Sequence, residues 1–243
     1  MLNISALYPN IRLEIQNPPD RLSSETEEKV SALWHAAQHK GGTTLFDGEI
    51  LSLLTVAPDR ITAFKTTYKY WFAQKKDPAL FETLHIQPLA VSGILECADG
   101  FVFGKRTHHM QQEAGLWELV PSGGLDSKDM QTGDLTSPLP QIFAELHEET
   151  GLSASVLTEI TPFCLIEDKV THVFDIGIFL GAPALSFADI QNPHKKTAYE
   201  YDLLECVPEH RLAAFIKQAH ADIVPVSLAL LGRVDNYRLL ACK

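Results

Sequence analysis

Apolar and polar positions along the chain predict a run of short elements of both kinds. Ile11, Leu13 and Ile15 alternate with polar residues, which is the period of a half-buried strand, and Pro18-Pro19 breaks it. Val30, Leu33, Trp34 and Ala37 then recur at helical spacing within Ser24 to Lys40. Ser24 with Glu27 three positions on has the form of a capping box, and Gly41-Gly42 is placed to stop the helix. Phe46 to Val56 reads as a hairpin or strand pair turning near Asp47-Gly48. Thr66 to Gln74, rich in aromatics, suits a helix or a strand equally.

From His85 onward the pattern is dominated by strands. Leu89 to Cys97 and Phe101 to Lys105 flank Asp99-Gly100, a dipeptide that favours a type I′ hairpin turn. Gly115 to Gly124 reads as an apolar strand running into a glycine turn. Ser155 to Ile166 and Val170 to Leu180 are strand-like, and Arg211 to Ala219 reads as a helix with Leu212, Phe215 and Ile216 inward. Strands covered by helices define an α+β fold with a mixed sheet. The change of character divides the chain into an amino-terminal α/β region, residues 1–83, and a second region, residues 84–243. There is no internal repeat or low-complexity tract.

Composition alters this picture in three ways. The 243 residues, 45% of them hydrophobic, suffice for one large or two modest cores. Thirty-one acidic against 20 basic residues give a net charge of −11, which argues against nucleic acid or an anionic membrane surface as the partner. An anionic substrate would then need a metal ion or a local cluster of Lys and Arg. Cys97, Cys164, Cys206 and Cys242 stand singly, without zinc-site spacing, and are expected to be reduced. No run approaches the roughly 20 apolar residues of a membrane span, and the amino terminus lacks the pattern of a signal peptide, so a cytoplasmic protein is expected.

The candidate chemistry lies in Ala144 to Leu152, AELHEETGL. Glu145, Glu148 and Glu149 are three and four apart and share one helical face, where they could converge on a hard divalent cation such as magnesium. A solvated acidic face would show the same spacing, because exposed like-charge pairs cost only about 0.2–0.5 kcal/mol. Gly123-Gly124 upstream changes the balance: a strand, a glycine turn and an acidic helix can bring a phosphate-bearing ligand to such an ion.

These residues resemble the signature of the Nudix hydrolases, G-x5-E-x7-R-E-U-x-E-E-x-G-U. Glu145, Leu146, Glu148, Glu149, Gly151 and Leu152 match, and Val120-Pro121-Ser122-Gly123-Gly124 is similar to the family's approach to its first glycine. Ala144 replaces the arginine, Gly124 to Ala144 spans 20 positions where the pattern has 14, and Thr136 occupies the nominal place of the isolated glutamate. The extra length falls in the polar stretch Asp126 to Ser137.

The resemblance implies an α/β/α sandwich and hydrolysis of a diphosphate, with Mg2+, or Mn2+ as a substitute, held by Glu145, Glu148 and Glu149. The amino-terminal FDGEILSL and TTYKYW, the longer loop and the missing arginine together are similar to the branch that cleaves UDP-glucose or UDP-galactose into UMP and a sugar 1-phosphate. The partner is then a small nucleotide-sugar. Gly123, Gly124 and Arg106, which closes a strand leading toward the glutamates, are expected to contact the phosphates, and Tyr68 to stack on the base. Tyr70 and Trp71 are candidates for the same platform, and core packing is the commoner use of such aromatics. Glu167, Asp168, Asp175 and Glu205 are further candidates for the base, while His108-His109 are read as solvent-facing. Hydrolysis of another nucleoside diphosphate compound, such as ADP-ribose, and a non-catalytic binding module fit the same residues.

Overall fold

The computed structural model describes the chain except residues 20, 41–44, 111, 129, 198–199 and 242–243. Strand β1 (Leu2–Ala6) is followed by β2 (Arg12–Gln16), α1 (Ser24–Lys40), β3 (Glu49–Ala57), β4 (Arg60–Thr67), α2 (Tyr68–Lys76) and the single turn α3 (Phe81–Leu84). Then come β5 (Leu89–Cys97), β6 (Gly100–Arg106), β7 (Trp117–Leu119), β8 (Ser122–Gly124), β9 (Leu135–Thr136) and α4 (Leu139–Thr150). The chain ends with β10 (Glu159–Asp168), β11 (Phe174–Ala182), α5 (Phe187–Thr197), β12 (Tyr201–Val207), α6 (Glu209–Ala219) and α7 (Pro225–Ala241).

These elements form an α+β fold around two mixed sheets. The larger has eight strands, in the order β1-β10-β11-β5-β6-β12 with β7 on β6 and β8 on β5; the smaller runs β3-β4-β2-β9. Strands β11 and β5 are parallel, as are β2 and β4. One apolar cluster of the large sheet takes in Ile142 and Leu146 of α4 and Ile190 of α5. Another takes in Leu230, Leu231 and Val234 of α7, with Leu212, Phe215 and Ile216 of α6 packed against it. Helices thus cover apolar faces on both sides of the sheet, and the inward stripe expected of α6 is the one found.

The chain passes between the sheets four times, from β1 to β2, from β4 to β5, from β8 to β9 and from β9 to β10. β1 adds to the edge of the large sheet beside β10, and β9 adds to the small sheet beside β2. Arg12 secures β9, its Nε donating to Thr136 O at 2.9 Å and its Nη2 to Leu135 O at 2.7 Å. The polar insertion before α4 is therefore tied down at its far end, and Thr136 is a sheet residue.

Several local expectations are corrected. Helix α1 is capped one residue earlier than predicted, by Ser23, whose Oγ accepts the Thr26 N–H at 3.2 Å. The predicted stop at Gly41-Gly42 lies outside the described residues. Phe46 to Val56 is no hairpin: β3 is one strand that pairs with β4. Asp47 and Gly48 serve the start of α2 instead, accepting the N–H groups of Lys69 at 2.8 Å and Tyr68 at 2.9 Å. Thr66 to Gln74 is divided between the end of β4 and α2.

The β5–β6 hairpin turns one residue earlier than Asp99-Gly100. Cys97 pairs with Gly100, so Ala98-Asp99 is the loop. Gly100 takes φ 139°, and a Cβ there would overlap the Val207 backbone. The Asp99 carboxylate accepts the Phe187 N–H at 2.7 Å. Cys97 and Cys206 are also less solitary than their spacing suggests, with sulfurs 3.8 Å apart; both are free thiols, as is Cys164. Cys242 lies outside the described residues. Among the described residues no helix is long and apolar enough to cross a membrane.

Candidate functional site

Helix α4 is amphipathic, and its core contacts orient the glutamates. Ile142 and Leu146, four apart, are fully buried, and Gly151 at φ 74° ends the helix. His194 of α5, also buried, lies with Nδ1 2.7 Å from Glu149 O. That contact fixes the last turn against the fold. The three glutamates meet different surroundings: Glu148 is exposed, Glu145 half-buried and Glu149 only 4% exposed.

Glu149 Oε1 accepts the Ser122 N–H at 3.2 Å and faces the Tyr201 hydroxyl at 3.4 Å. Its Oε2 is buried and has no hydrogen-bond partner among the described residues. Glu145 Oε1 accepts from Gln141 Nε2 at 2.7 Å. The carboxylate of Glu145 lies so close over Gly123 that a Cβ there would overlap it, while a Cβ at Gly124 would meet open space. The two glycines therefore differ: Gly123 is needed for the approach of strand to helix, and nothing around Gly124 requires the absence of a side chain.

In front of this turn lies a cavity of about 350 Å³. Its acidic lining residues are Glu113, Glu118, Glu145, Asp168, Asp175 and Glu200, and Arg106 is its only Lys or Arg among the described residues. Ser92, Ser122, Gly123 and Gly124 line it too, with Ala90, Val173, Val224 and Val226 as apolar wall. Strands β5, β6, β7, β8 and β11 thus bring to one hollow residues far apart in the chain.

Arg106, expected to face phosphate, does line the cavity, but its Nη1 is already paired with Glu118 Oε2. Both side chains are nearly buried, and Glu118 Oε2 also accepts the Tyr201 hydroxyl at 2.9 Å. Burial opposes the guanidinium's charge, yet the adjoining Glu118 carboxylate outweighs it and raises the Arg106 pKa.

Tyr68 is a correction. It packs edge-on against Trp34 and Trp71, with centroids 6.2 and 5.4 Å away, and is not among the residues lining the cavity. Its hydrophobic neighbours in the amino-terminal region account for its place: Val30, Phe64, Trp71 and Leu80 form a core of which Tyr68 and Tyr70 are the rim.

The four outlying acids separate clearly. Asp175 is buried at the cavity, with Ser92 Oγ donating to it at 2.9 Å. Asp168 lines the cavity but closes a turn, accepting from Val170 N at 2.9 Å and Thr171 Oγ1 at 2.8 Å. Glu167 accepts from Asn3 Nδ2 at 3.2 Å on the β1–β10 edge, and Glu205 lies in a different hollow with Trp117 and Arg211. Glu118, Glu200 and Tyr201 escaped the sequence reading. The one available signal was Glu118 itself, a charge inside the apolar run Leu116 to Val120.

Crowding of acids in a dry place disfavours ionisation. Burial first, then Glu118 and Glu145, pushes the Glu149 pKa well above its ordinary range. Burial raises Glu145 to about 7 against the opposing Gln141 bond, with Glu148 adding to the rise. Burial likewise raises Asp175 to about 7, opposed by Ser92. These carboxyls bind more protons folded than unfolded between pH 4.5 and 7, so stability is greater at the acid end of that window and is lost as pH rises through it. In EDTA, unfolding in urea should show a loss on the order of a few kcal/mol between pH 5 and pH 8. A flat profile would mean that these groups ionise as freely as in the unfolded chain.

An oxygen-rich donor set suits a hard divalent cation such as Mg2+ or Mn2+. The unpartnered Glu149 Oε2 and the side-chain-free approach at Gly123 are what such an ion would use. As the side chains stand, no three His, Cys, Asp or Glu among the described residues are gathered closely enough to hold one. Glu145 is turned to Gln141 and Glu148 to solvent.

Comparison with known proteins found no matching family model and no matching curated protein. Similar folds do occur among solved structures. A MutT protein from Methanosarcina mazei Go1 is 19% identical, with a TM-score of 0.44 over 62% of this chain and 94% of its own. DR0079 from Deinococcus radiodurans is 16% identical, with a TM-score of 0.48 over 75% of this chain and 96% of its own. A bifunctional NMN adenylyltransferase/ADP ribose pyrophosphatase from Francisella tularensis, in complex with AMP and a manganese ion, is 14% identical, with a TM-score of 0.43; 69% of this chain matches 46% of that one. At such identities and scores these likenesses assign no activity to this chain.

Proposed function

We propose that this chain is a divalent-cation-dependent hydrolase of nucleoside diphosphate compounds, and that its substrate is a nucleoside diphosphate sugar, UDP-glucose or UDP-galactose, cleaved to UMP and a sugar 1-phosphate in the cytoplasm. One observation carries the reading: among the described residues, six carboxylates and a single, already paired guanidinium line a cavity of about 350 Å³ beside the glycines of β8 and an acidic helix. That lining repels a diphosphate unless a cation intervenes, and it offers the oxygen ligands such a cation needs.

Glu145, Glu148 and Glu149 would hold the ion, Mg2+ with Mn2+ as a substitute. When bound, it supplies charge neutralisation on the phosphate oxygens. The remaining roles fall to the chain itself. Ser122, Gly123, Gly124 and Arg106 border the space for the diphosphate. Asp175 is the best placed base, being at the cavity, oriented by Ser92 and poised near neutral pH. It takes the proton of the attacking water; the water oxygen bonds to phosphorus as the bridging P–O bond breaks. The amino-terminal region, residues 1–83, has its own aromatic core and steadies the loop before α4 through β2 and Arg12, a supporting role we assign to it within one catalytic unit with residues 84–243.

UDP-, ADP- and GDP-sugars and ADP-ribose, each incubated with Mg2+ and scored for nucleoside monophosphate, test the proposal. Selective turnover of UDP-sugars supports it, turnover confined to another compound moves the substrate, and silence throughout leaves a binding module. Asp175→Asn should reduce kcat by about 10²-fold or more and abolish the rise of activity with pH through about 7, since only the ionised carboxylate accepts a proton. An unchanged pH–rate profile would remove Asp175 from that role.

A further inference from the structure

We infer that Tyr201 is a positioning residue for Glu149, its hydroxyl and the Ser122 N–H together addressing one carboxylate oxygen so that the other stays unpaired for the cation. The inference rests on the assignment of Glu149 as a ligand made above. Tyr201 opens β12 and is 1% exposed. Its hydroxyl donates to Glu118 Oε2 at 2.9 Å and lies 3.4 Å from Glu149 Oε1. The nitrogen of Ser122 reaches that same Oε1 at 3.2 Å. The hydroxyl's one proton is shared, with its shorter arm to Glu118 and its longer arm to Glu149, so it and the Ser122 N–H address the same oxygen of Glu149, and Oε2 has no partner among the described residues.

The ring is wedged in place. It lies against Gly104 of β6, where a Cβ would overlap its carbon atoms, so a residue with any side chain at 104 would push the phenol away. Behind the hydroxyl, Glu118 is fastened to Arg106, itself a cavity residue. Arg106, Glu118, Tyr201 and Glu149 therefore form one continuous chain of polar contacts from the cavity wall to the acidic helix. A partner that orients a ligating side chain typically matters about 10–100-fold in metal affinity or activity. Nothing in the sequence marks Tyr201 for this, because strand β12 reaches α4 only through the fold.

Tyr201→Phe removes the hydroxyl and keeps the ring. In the full-length protein, titrated with Mn2+ and followed by electron paramagnetic resonance of the free ion, its affinity should fall by about tenfold or more. The melting temperature in EDTA should stay near that of the wild type. Hydrolysis should need correspondingly more Mg2+ and recover in part when Mg2+ is raised, which a loss of packing alone would not produce. Gly104→Ala, which leaves the hydroxyl in the protein but displaces the ring, should weaken Mn2+ in the same direction. Equal Mn2+ affinity in the wild type and in Tyr201→Phe overturns the positioning role and leaves the proposed function standing. If the wild type and Glu149→Gln bind Mn2+ alike, the ligand assignment fails, and this inference with it.

Discussion

Glu149→Gln is expected to reduce Mg2+-supported turnover by about 10²–10³-fold, the usual scale for removing one electrostatic group from a preorganised site. The substitution keeps the shape of the side chain and the bond from Ser122 to Oε1, so the last turn of α4 stays capped by Gly151 and held by His194. What it removes is the negative charge. In EDTA at pH 8 that removal should not destabilise the protein, because the buried carboxyl already disfavours ionisation. Activity lost together with an unchanged or higher melting temperature is therefore the expected signature. Full turnover by Glu149→Gln would dismiss the glutamate as a ligand, and a collapsed melting temperature would mark it as a structural residue.

Arg106→Met should lower the free energy of unfolding by about 3–5 kcal/mol, the cost of leaving one member of a buried ion pair alone. Glu118 would be stranded in a cavity that already contains Glu113, Glu145, Asp175 and Glu200. Pairing Arg106→Met with Glu118→Gln should recover much of the loss, so the two changes should be strongly non-additive in urea unfolding. The comparison decides what Arg106 is for. A small loss for Arg106→Met, with KM for the substrate raised, would mean that the guanidinium serves the phosphates more than it serves Glu118.

Much of the site was legible in linear order. The three- and four-residue spacing of Glu145, Glu148 and Glu149, with Ile142 and Leu146 beside them, needs only the period of a helix to line the acids along the edge of the apolar stripe, Glu149 nearest to it. The β5–β6 hairpin was legible for the same local reason, with a shift of one residue, whereas Gly123-Gly124, expected as a turn, belongs to strand β8, which pairs with β5. Local chemistry misled where a second element competed for it. Asp47-Gly48 has the composition of a hairpin turn, yet its acceptors are used by the N-terminus of α2. Tyr68 has the surface expected of a base platform, yet it packs edge-on against Trp34 and Trp71 at the rim of a core that forms only when α1 meets α2.

The sequence by itself determined the α+β class, the acidic face of α4 and the glycine beside it, because each follows from periods of two to four residues and from the conformational freedom of single residues. Only the tertiary structure decided that Asp175, Glu118, Arg106 and Tyr201 stand around those glutamates. Tyr201 is 83 positions from Glu118 and 52 from Glu149. Their meeting depends on the parallel pairing of β5 with β11 and the placing of β12 beside β6, long-range choices made by burying apolar faces on both sides of one sheet. Burial in that sheet also sets the protonation of the acids, a property that no spacing along the chain expresses.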